Sequence, residues 1–475
     1  MSGAISIAGS PAANRESRWE TVRPLAALLL AAAMFYLAPW PILYLPALLA
    51  VVWLTWRRLD LALLLVPLFL PYFMLPKHIV LGSHHEEFAP AEVFLLIAVA
   101  CAVVRAASRR RLPLDRAVRS PFAIPGLILV LAAGVSVLAA ADIHHAARDY
   151  MEWVLEPAAY FVLLAVVFDE CRQWQVLFAA LIASGAIVGV IALAQYATDQ
   201  DLTAVAGSFS RVKAVYGSAD NLGLLFDRVI PIWLAFALFS RRLKPRWRLG
   251  VWLLGIPLVI PLVLTYSRGA WLAIGVVGLG LLVLRFHWAR YLVLAIVILA
   301  AFAALLKGPA VASAIRYGHA STIQRRVDLW NSSLHMLRGH PVLGVGIDNF
   351  IHYYAPVHQT YAQCSGLGYM NPRDWREPCL SHPHNVILDF WLSTGIIGLA
   401  AFIWLEIVFW KQAVRIWRAV GSYPLIVGVP AAMAAGLIHG MVDESYFLPD
   451  LSLMFWMLLG FVSFQASGRG HSEPA

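Results

Sequence analysis

From about residue 24 to residue 466 the chain alternates long apolar runs with short polar breaks. The runs fall at about 24–39, 41–56, 60–76, 90–107, 121–141, 150–168, 174–196, 221–240, 248–265, 268–285, 289–306, 384–410, 424–441 and 449–466. A helix needs about 20 residues to cross a bilayer, so the pattern predicts an all-α polytopic membrane protein with about fourteen transmembrane helices. The first two runs are short and meet at Pro39-Trp40-Pro41, where a re-entrant hairpin is the alternative to two full spans. Either arrangement returns the chain to the side it left. The predicted organisation is a polar tail at 1–23, eleven spans over 24–306, a large outer loop at 307–383, three spans over 384–466, and a tail at 467–475.

Lys and Arg placement gives the orientation. Alternate loops carry Arg57-Arg58, then Arg105 with 109–111, Arg116 and Arg119, then Arg172, 241–248, Arg285 with Arg290, and Lys411 with Arg415 and Arg418. By the positive-inside rule these loops are cytoplasmic, which puts both termini in the cytoplasm. The opposite loops hold His84-His85-Glu86-Glu87, Asp142 to Asp149, and Asp443-Glu444. Composition agrees: 61% of residues are hydrophobic and 13% charged, about half the charge of a soluble domain. The net charge of +9 belongs to these loops and not to a nucleic-acid surface, since no basic face is interleaved with aromatic residues.

Two outer segments depart from the short-loop pattern. One lies near 197–220 and carries Arg211 and Lys213; the other is the 307–383 insertion. Within the latter, Arg326 to Leu337 reads as an amphipathic helix with Val327, Trp330, Leu334 and Leu337 on one face, so short helices along the outer membrane face are expected. Cys364 and Cys379 also fall there. Oxidation outside the cytoplasm permits a disulfide between them, with two free thiols as the alternative.

Three constellations could carry chemistry. Ser381-His382-Pro383-His384-Asn385 lies where the long loop re-enters the membrane. A helix N-terminus disfavours an imidazolium, and a neutral imidazole there can accept a hydroxyl proton; an idle interfacial histidine is the alternative. In Thr265-Tyr266-Ser267-Arg268-Gly269, Arg268 stands on the outer side against the positive-inside tendency. Guanidinium suits phosphate oxygens, and snorkelling to lipid headgroups is the competing role. The third set is Arg211, Lys213 and Arg228, with Arg228 about two turns inside the membrane; Arg325 and Arg326 extend it. A base and several outer arginines fit a lipid-anchored substrate bearing phosphate or pyrophosphate. No carboxylate pair offers an obvious metal site. The outer pairs His84-His85 and His144-His145 are the alternative metal ligands, and solvated loop histidines are commoner.

At these residues the chain resembles the O-antigen ligase and O-antigen polymerase superfamily of membrane glycosyltransferases. Ser267-Arg268-Gly269-Ala270-Trp271 is similar to its Ser-Arg-Gly helix start. Arg326-Val327-Asp328-Leu329-Trp330 with His340-Pro341-Val342-Leu343-Gly344-Val345-Gly346 and Asn349-Phe350 is similar to its outer-loop signature. His384-Asn385 with Leu388, Gly395 and Gly398 resembles its re-entry motif. The order and spacing agree over about 265–400. The resemblance implies cofactor-free, metal-independent transfer of a glycan from an undecaprenyl-pyrophosphate carrier to a lipid or glycan acceptor hydroxyl, at the periplasmic face of a bacterial inner membrane. It implies His384 as base and Arg268 and Arg326 as phosphate ligands; Arg211 and Arg228 join them from depth and charge. Ligation to lipid A–core, polymerisation of repeat units and transfer to protein Ser or Thr share these motifs. The number of spans leans toward polymerases, and the short C-terminal tail counts against the protein acceptor. A lipid-linked glycan flippase is the rival of another class; it calls for midplane ionisable pairs and repeat symmetry, which the sequence does not display.

Overall fold

The computed structural model describes residues 11–81, 84–108, 112–205, 209–240, 243–299, 302, 322–357 and 382–469. Cys364 and Cys379 lie outside them, as do the side chains of His84, His85 and Arg325.

The chain opens with α1 (Pro11–Leu37), α2 (Pro41–Arg57), α3 (Leu59–Ala62) and α4 (Leu65–Phe69), followed by a 3-10 turn at Leu70–Met74. A hairpin of β1 (Lys77–Leu81) and β2 (His84–Phe88) pairs Lys77 with Phe88. Then come α5 (Pro90–Ala107), α6 (Asp115–Val118), α7 (Ala123–Ser136), α8 (Ile143–Tyr150), a π turn at Met151–Leu155, α9 (Glu156–Val167) and α10 (Cys171–Thr198). A second hairpin, β3 (Thr203–Val205) with β4 (Phe209–Arg211), sets Thr203 against Arg211. The rest is α11 (Ala219–Phe239), α12 (Pro245–Leu253), α13 (Gly255–Leu264), α14 (Arg268–Arg285), α15 (Ala289–Leu299), α16 (Thr322–Gly339), α17 (Phe350–Val357), α18 (Val386–Val420), α19 (Pro424–Gly440) and α20 (Pro449–Ala466).

The protein is thus all-α apart from two hairpins among the described residues. Among the described residues, eight helical stretches are long and apolar enough to cross a membrane, and six further apolar helices have 10–17 residues. The expected count of about fourteen full spans is therefore not carried by helix length. Proline is one cause: Pro67 and Pro71 lie in the 59–74 run, which is broken into α3, α4 and a 3-10 turn, since proline supplies no N–H to the ladder. Other boundaries move too. Helix α1 begins at Pro11, inside the stretch expected to be a polar tail. The segment 143–149, expected as loop, is helical, because the Asp142 carboxylate caps α8 by accepting the His145 backbone N–H at 3.0 Å.

Burial divides the helices. In α20 and α11, 89% and 83% of the hydrophobic window is buried, against 22% in α12–α13 and in α14. The first two are buried on nearly all sides and central; the others turn Ile260, Val263, Leu272, Val276 and Leu284 outward. An apolar coat on this scale would be untenable in water and marks the lipid-facing surface of an integral membrane protein. Lipid removes most of the hydrophobic gain between helices, so close backbone approach must supply dispersion contacts. Gly189 of α10 illustrates this: a Cβ there would lie 1.6 Å from the Pro257 carbonyl oxygen.

One break in a helix positions the site. Helix α18 is interrupted at Gly395, which has φ +71°. The loop after α16 fills the break: Val345 N–H donates to the Leu392 carbonyl at 2.7 Å, and Ile396 N–H donates to the Val342 carbonyl at 3.0 Å. Ser136 Oγ of α7 lies within hydrogen-bond distance of the Leu343 and Ser393 carbonyls, at 2.7 and 2.9 Å. Irregular backbone at membrane depth persists only when protein satisfies it in this way. Gly344 (φ +72°) is required by the fit, since a Cβ would meet the Leu392 carbonyl oxygen at 2.1 Å. Helix α16 then lies on the start of α18. Its buried positions are Leu329, Ser333, Met336 and Leu337, whereas Leu334 is 45% exposed. The inward face is thus rotated from the expected one, drawn by Leu388, Trp391 and Leu392.

Candidate active site

Asn385 caps α18: its Oδ1 accepts the N–H groups of Ile387 and Leu388, both at 3.1 Å. Such a cap contributes about 1 kcal/mol. Asn385 Nδ2 donates to the Met441 carbonyl at 3.0 Å, tying the re-entry point to the loop between α19 and α20. His384, directly before the cap, takes φ +50°, a conformation unusual for a side-chain-bearing residue and concentrated at functional sites.

The loop from Met441 supplies the group that organises the site. Asp443, 4% exposed, places Oδ1 at 2.6 Å from His384 Nδ1. The same oxygen accepts the Glu444 backbone N–H at 2.9 Å. Its Oδ2 faces Arg326 Nη2 at 3.4 Å and His439 Nε2 at 3.6 Å. His439 Nδ1 in turn lies 2.5 Å from Asp227 Oδ2, with both side chains buried. Four elements thus deliver a chain of His384, Asp443, His439 and Asp227, with Arg326 alongside. Burial alone would raise the Asp443 pKa, but the facing His384 and His439 hold it well below the ordinary carboxylate value. Asp443 is an anion at neutral pH and can only accept, so it fixes the proton of His384 on Nδ1. His384 Nε2 makes no hydrogen bond among the described residues, and the side chain is 20% exposed. It is an available proton acceptor.

The neighbouring pair behaves differently. His382 Nε2 and Glu444 Oε2 are 3.1 Å apart. Burial pushes the His382 imidazole down to about 4. Burial, reinforced by Asp389, Asp348 and Asp443, raises the Glu444 carboxyl well above its ordinary value. Burial thus favours the uncharged form of each partner in this contact.

The predicted arginines separate into two kinds. Arg268 opens α14 and is exposed, with no ion pair or hydrogen bond among the described residues. Its neighbour Gly269 packs on His439: a Cβ there would meet His439 Cδ2 and Nε2 at 2.3 and 2.4 Å. The Ser-Arg-Gly turn therefore abuts the His439–Asp443 pair. Arg326 shares Asp443 and keeps its side chain 21% exposed. Arg211 is tied to Asp220 at 2.6 Å and donates to the Thr265 carbonyl at 2.5 Å, bracing the turn that precedes Arg268. Arg228 is buried, donating to the Leu224 carbonyl at 3.0 Å and to the Ser445 carbonyl and hydroxyl at 2.6 and 2.8 Å. It anchors the loop that carries Asp443.

Sequence reasoning missed Asp443 and His439 as members of the site. One signal was present: they stand four residues apart at the outer end of an apolar helix, a spacing that places both on one helical face.

Comparison with known proteins agrees with the motifs. Residues 249–403 match the family model described as O-antigen ligase. No curated protein matches the chain.

Proposed function

Because the chain carries an O-antigen ligase domain over residues 249–403, and with it an O-antigen ligase/polymerase-type function in general, we propose that it transfers glycan from an undecaprenyl-pyrophosphate donor to an acceptor hydroxyl. The observation that carries the reading is the 2.6 Å contact between His384 Nδ1 and Asp443, which leaves Nε2 facing away from the carboxylate. In the proposed step Nε2 takes the acceptor proton as the oxygen attacks the anomeric carbon. The bond from that carbon to the phosphate oxygen breaks, and the electron pair leaves with the pyrophosphate. Asp443 stabilises the imidazolium that forms. Arg268 and Arg326 neutralise charge gathering on the leaving group, and the amide N–H groups at the start of α14 add to this. Arg211 and Arg228, engaged with protein partners, hold the turn and the loop that present these groups. No step draws on a metal.

In this reading the short apolar helices complete about fourteen membrane-crossing units, some paired or re-entrant, with both termini cytoplasmic and the His384 side periplasmic. The test is transfer by purified protein in proteoliposomes, with lipid-linked glycan and either lipid A–core or a second lipid-linked glycan as acceptor. Consumption of donor only with lipid A–core identifies a ligase, and lengthening without it identifies a polymerase. Donor that crosses the bilayer unreacted would replace the enzyme with a transporter.

A further inference from the structure

The histidine pair at 144–145 is not used by the transfer chemistry, yet the fold gives one member a defined setting. His145 Nε2 lies 2.9 Å from Asp348 Oδ2 and 3.4 Å from Asp149 Oδ2. The three donors come from α8 and from the loop that fills the α18 break. Two further facts set the cluster apart from a surface ion pair. Asp149 is 5% exposed, and its Oδ2, the atom turned toward the cluster, makes no hydrogen bond among the described residues; Asp348 Oδ1 is buried and lacks one too. An imidazolium offers one N–H at Nε2, which cannot satisfy two carboxylates. With both carboxylates ionised it also leaves one negative charge uncompensated beside the buried Asp149, an expensive arrangement.

We infer that His145, Asp149 and Asp348 form a binding site for a divalent transition-metal ion of the zinc type. A neutral imidazole nitrogen and two carboxylate oxygens, mutually within 4.8 Å, are ligand types that zinc accepts, and three of them leave a fourth position open. The ion's two positive charges balance both carboxylates. The nitrogen ligand selects against magnesium and calcium, which prefer all-oxygen shells. The ion staples the Gly344–Asp348 loop to α8, a bond that Asn349 Oδ1 already supports by accepting the Asp142 backbone N–H at 2.9 Å. Its role is to hold the outer loop, and the inference stands independently of the transfer reading.

The experiment uses the full-length protein in detergent, stripped with chelator and desalted. ZnCl2 is titrated by calorimetry, bound zinc is counted by elemental analysis, and thermal unfolding is followed with ZnCl2 or MgCl2. One zinc per chain and a rise in Tm of a few degrees are expected with zinc and not with magnesium. His145→Ala, a half-exposed position, and Asp348→Asn should each fold yet lose both the bound ion and the shift. His382→Ala, in the separate cluster with Asp389 and Glu444, should keep both. Absence of a zinc-dependent shift in the wild type overturns the site. Loss of binding in His382→Ala with retention in His145→Ala also overturns it, by moving the ion to the other cluster.

Discussion

Replacing Asp443 by asparagine isolates the charge on which the proposed chemistry depends. The side chain keeps its size, and Oδ1 can still accept from His384 Nδ1. What is lost is the anion opposite the imidazolium that forms when the acceptor proton is taken. With charge centres about 4 Å apart and an effective dielectric constant of about 20, that attraction is worth about 4 kcal/mol. Each 1.36 kcal/mol is tenfold in rate, so kcat should fall about 1,000-fold. The Asp443 carboxylate also faces Arg326 at 3.4 Å, and removing its charge frees that guanidinium for phosphate. Donor affinity should therefore hold or tighten while turnover collapses, a split that simple misfolding does not produce. The assay is transfer of labelled glycan from lipid-linked donor, with donor Kd measured separately and Tm recorded in detergent. Turnover within about threefold of wild type would remove the carboxylate from the mechanism and refute the pairing argument.

The remaining predictions test separate parts of the account. Arg268→Lys should lower kcat about 10-fold or more and Arg268→Ala further, because a point charge replaces a planar fork on a spreading pyrophosphate; near-normal turnover in the lysine variant would leave only a point-charge role. EDTA should leave turnover at 25 °C within about twofold while lowering Tm, since the reacting groups are His384 and arginines; activity lost to EDTA and restored by a divalent ion would overturn the metal-free step. His382, neutral in the fold with its pKa lowered to about 4 against about 6.5 unfolded, binds fewer protons folded than unfolded below pH 6.5. Stability should therefore fall with pH between about 6.5 and 4, by about 2 kcal/mol at pH 5, and His382→Gln should flatten that slope; an unchanged slope contradicts it.

Helical segments were legible in the apolar runs, because lipid forces backbone hydrogen bonding inside each segment. Which segments attain full crossing length was less so. Prolines 67 and 71 and the Gly395 break act locally, and hydropathy averages over them. Met151–Leu155 shows the reverse: a π turn lets α8 run into α9 without a loop. His384 could be read from the chain because its neighbours place it at a helix start. The joining of Asp443 and His439 to His384 and Asp227 could not, because the His439–Asp443 segment, Asp227 and His384 lie far apart in sequence and meet through tertiary packing. The fate of the arginines was also hidden, since nothing local announces that Ser445 holds Arg228 or that Asp220 holds Arg211.

The central claim is that His384 Nε2 removes the acceptor proton, and single-turnover transfer in proteoliposomes by His384→Ala tests it most directly. Lipid-linked donor is preloaded, acceptor is added, and the rate is compared with wild type at equal folded protein. General bases contribute about 10²–10⁴-fold, so the account predicts a loss of at least about 100-fold with donor binding and Tm retained. A rate within about threefold of wild type would contradict it.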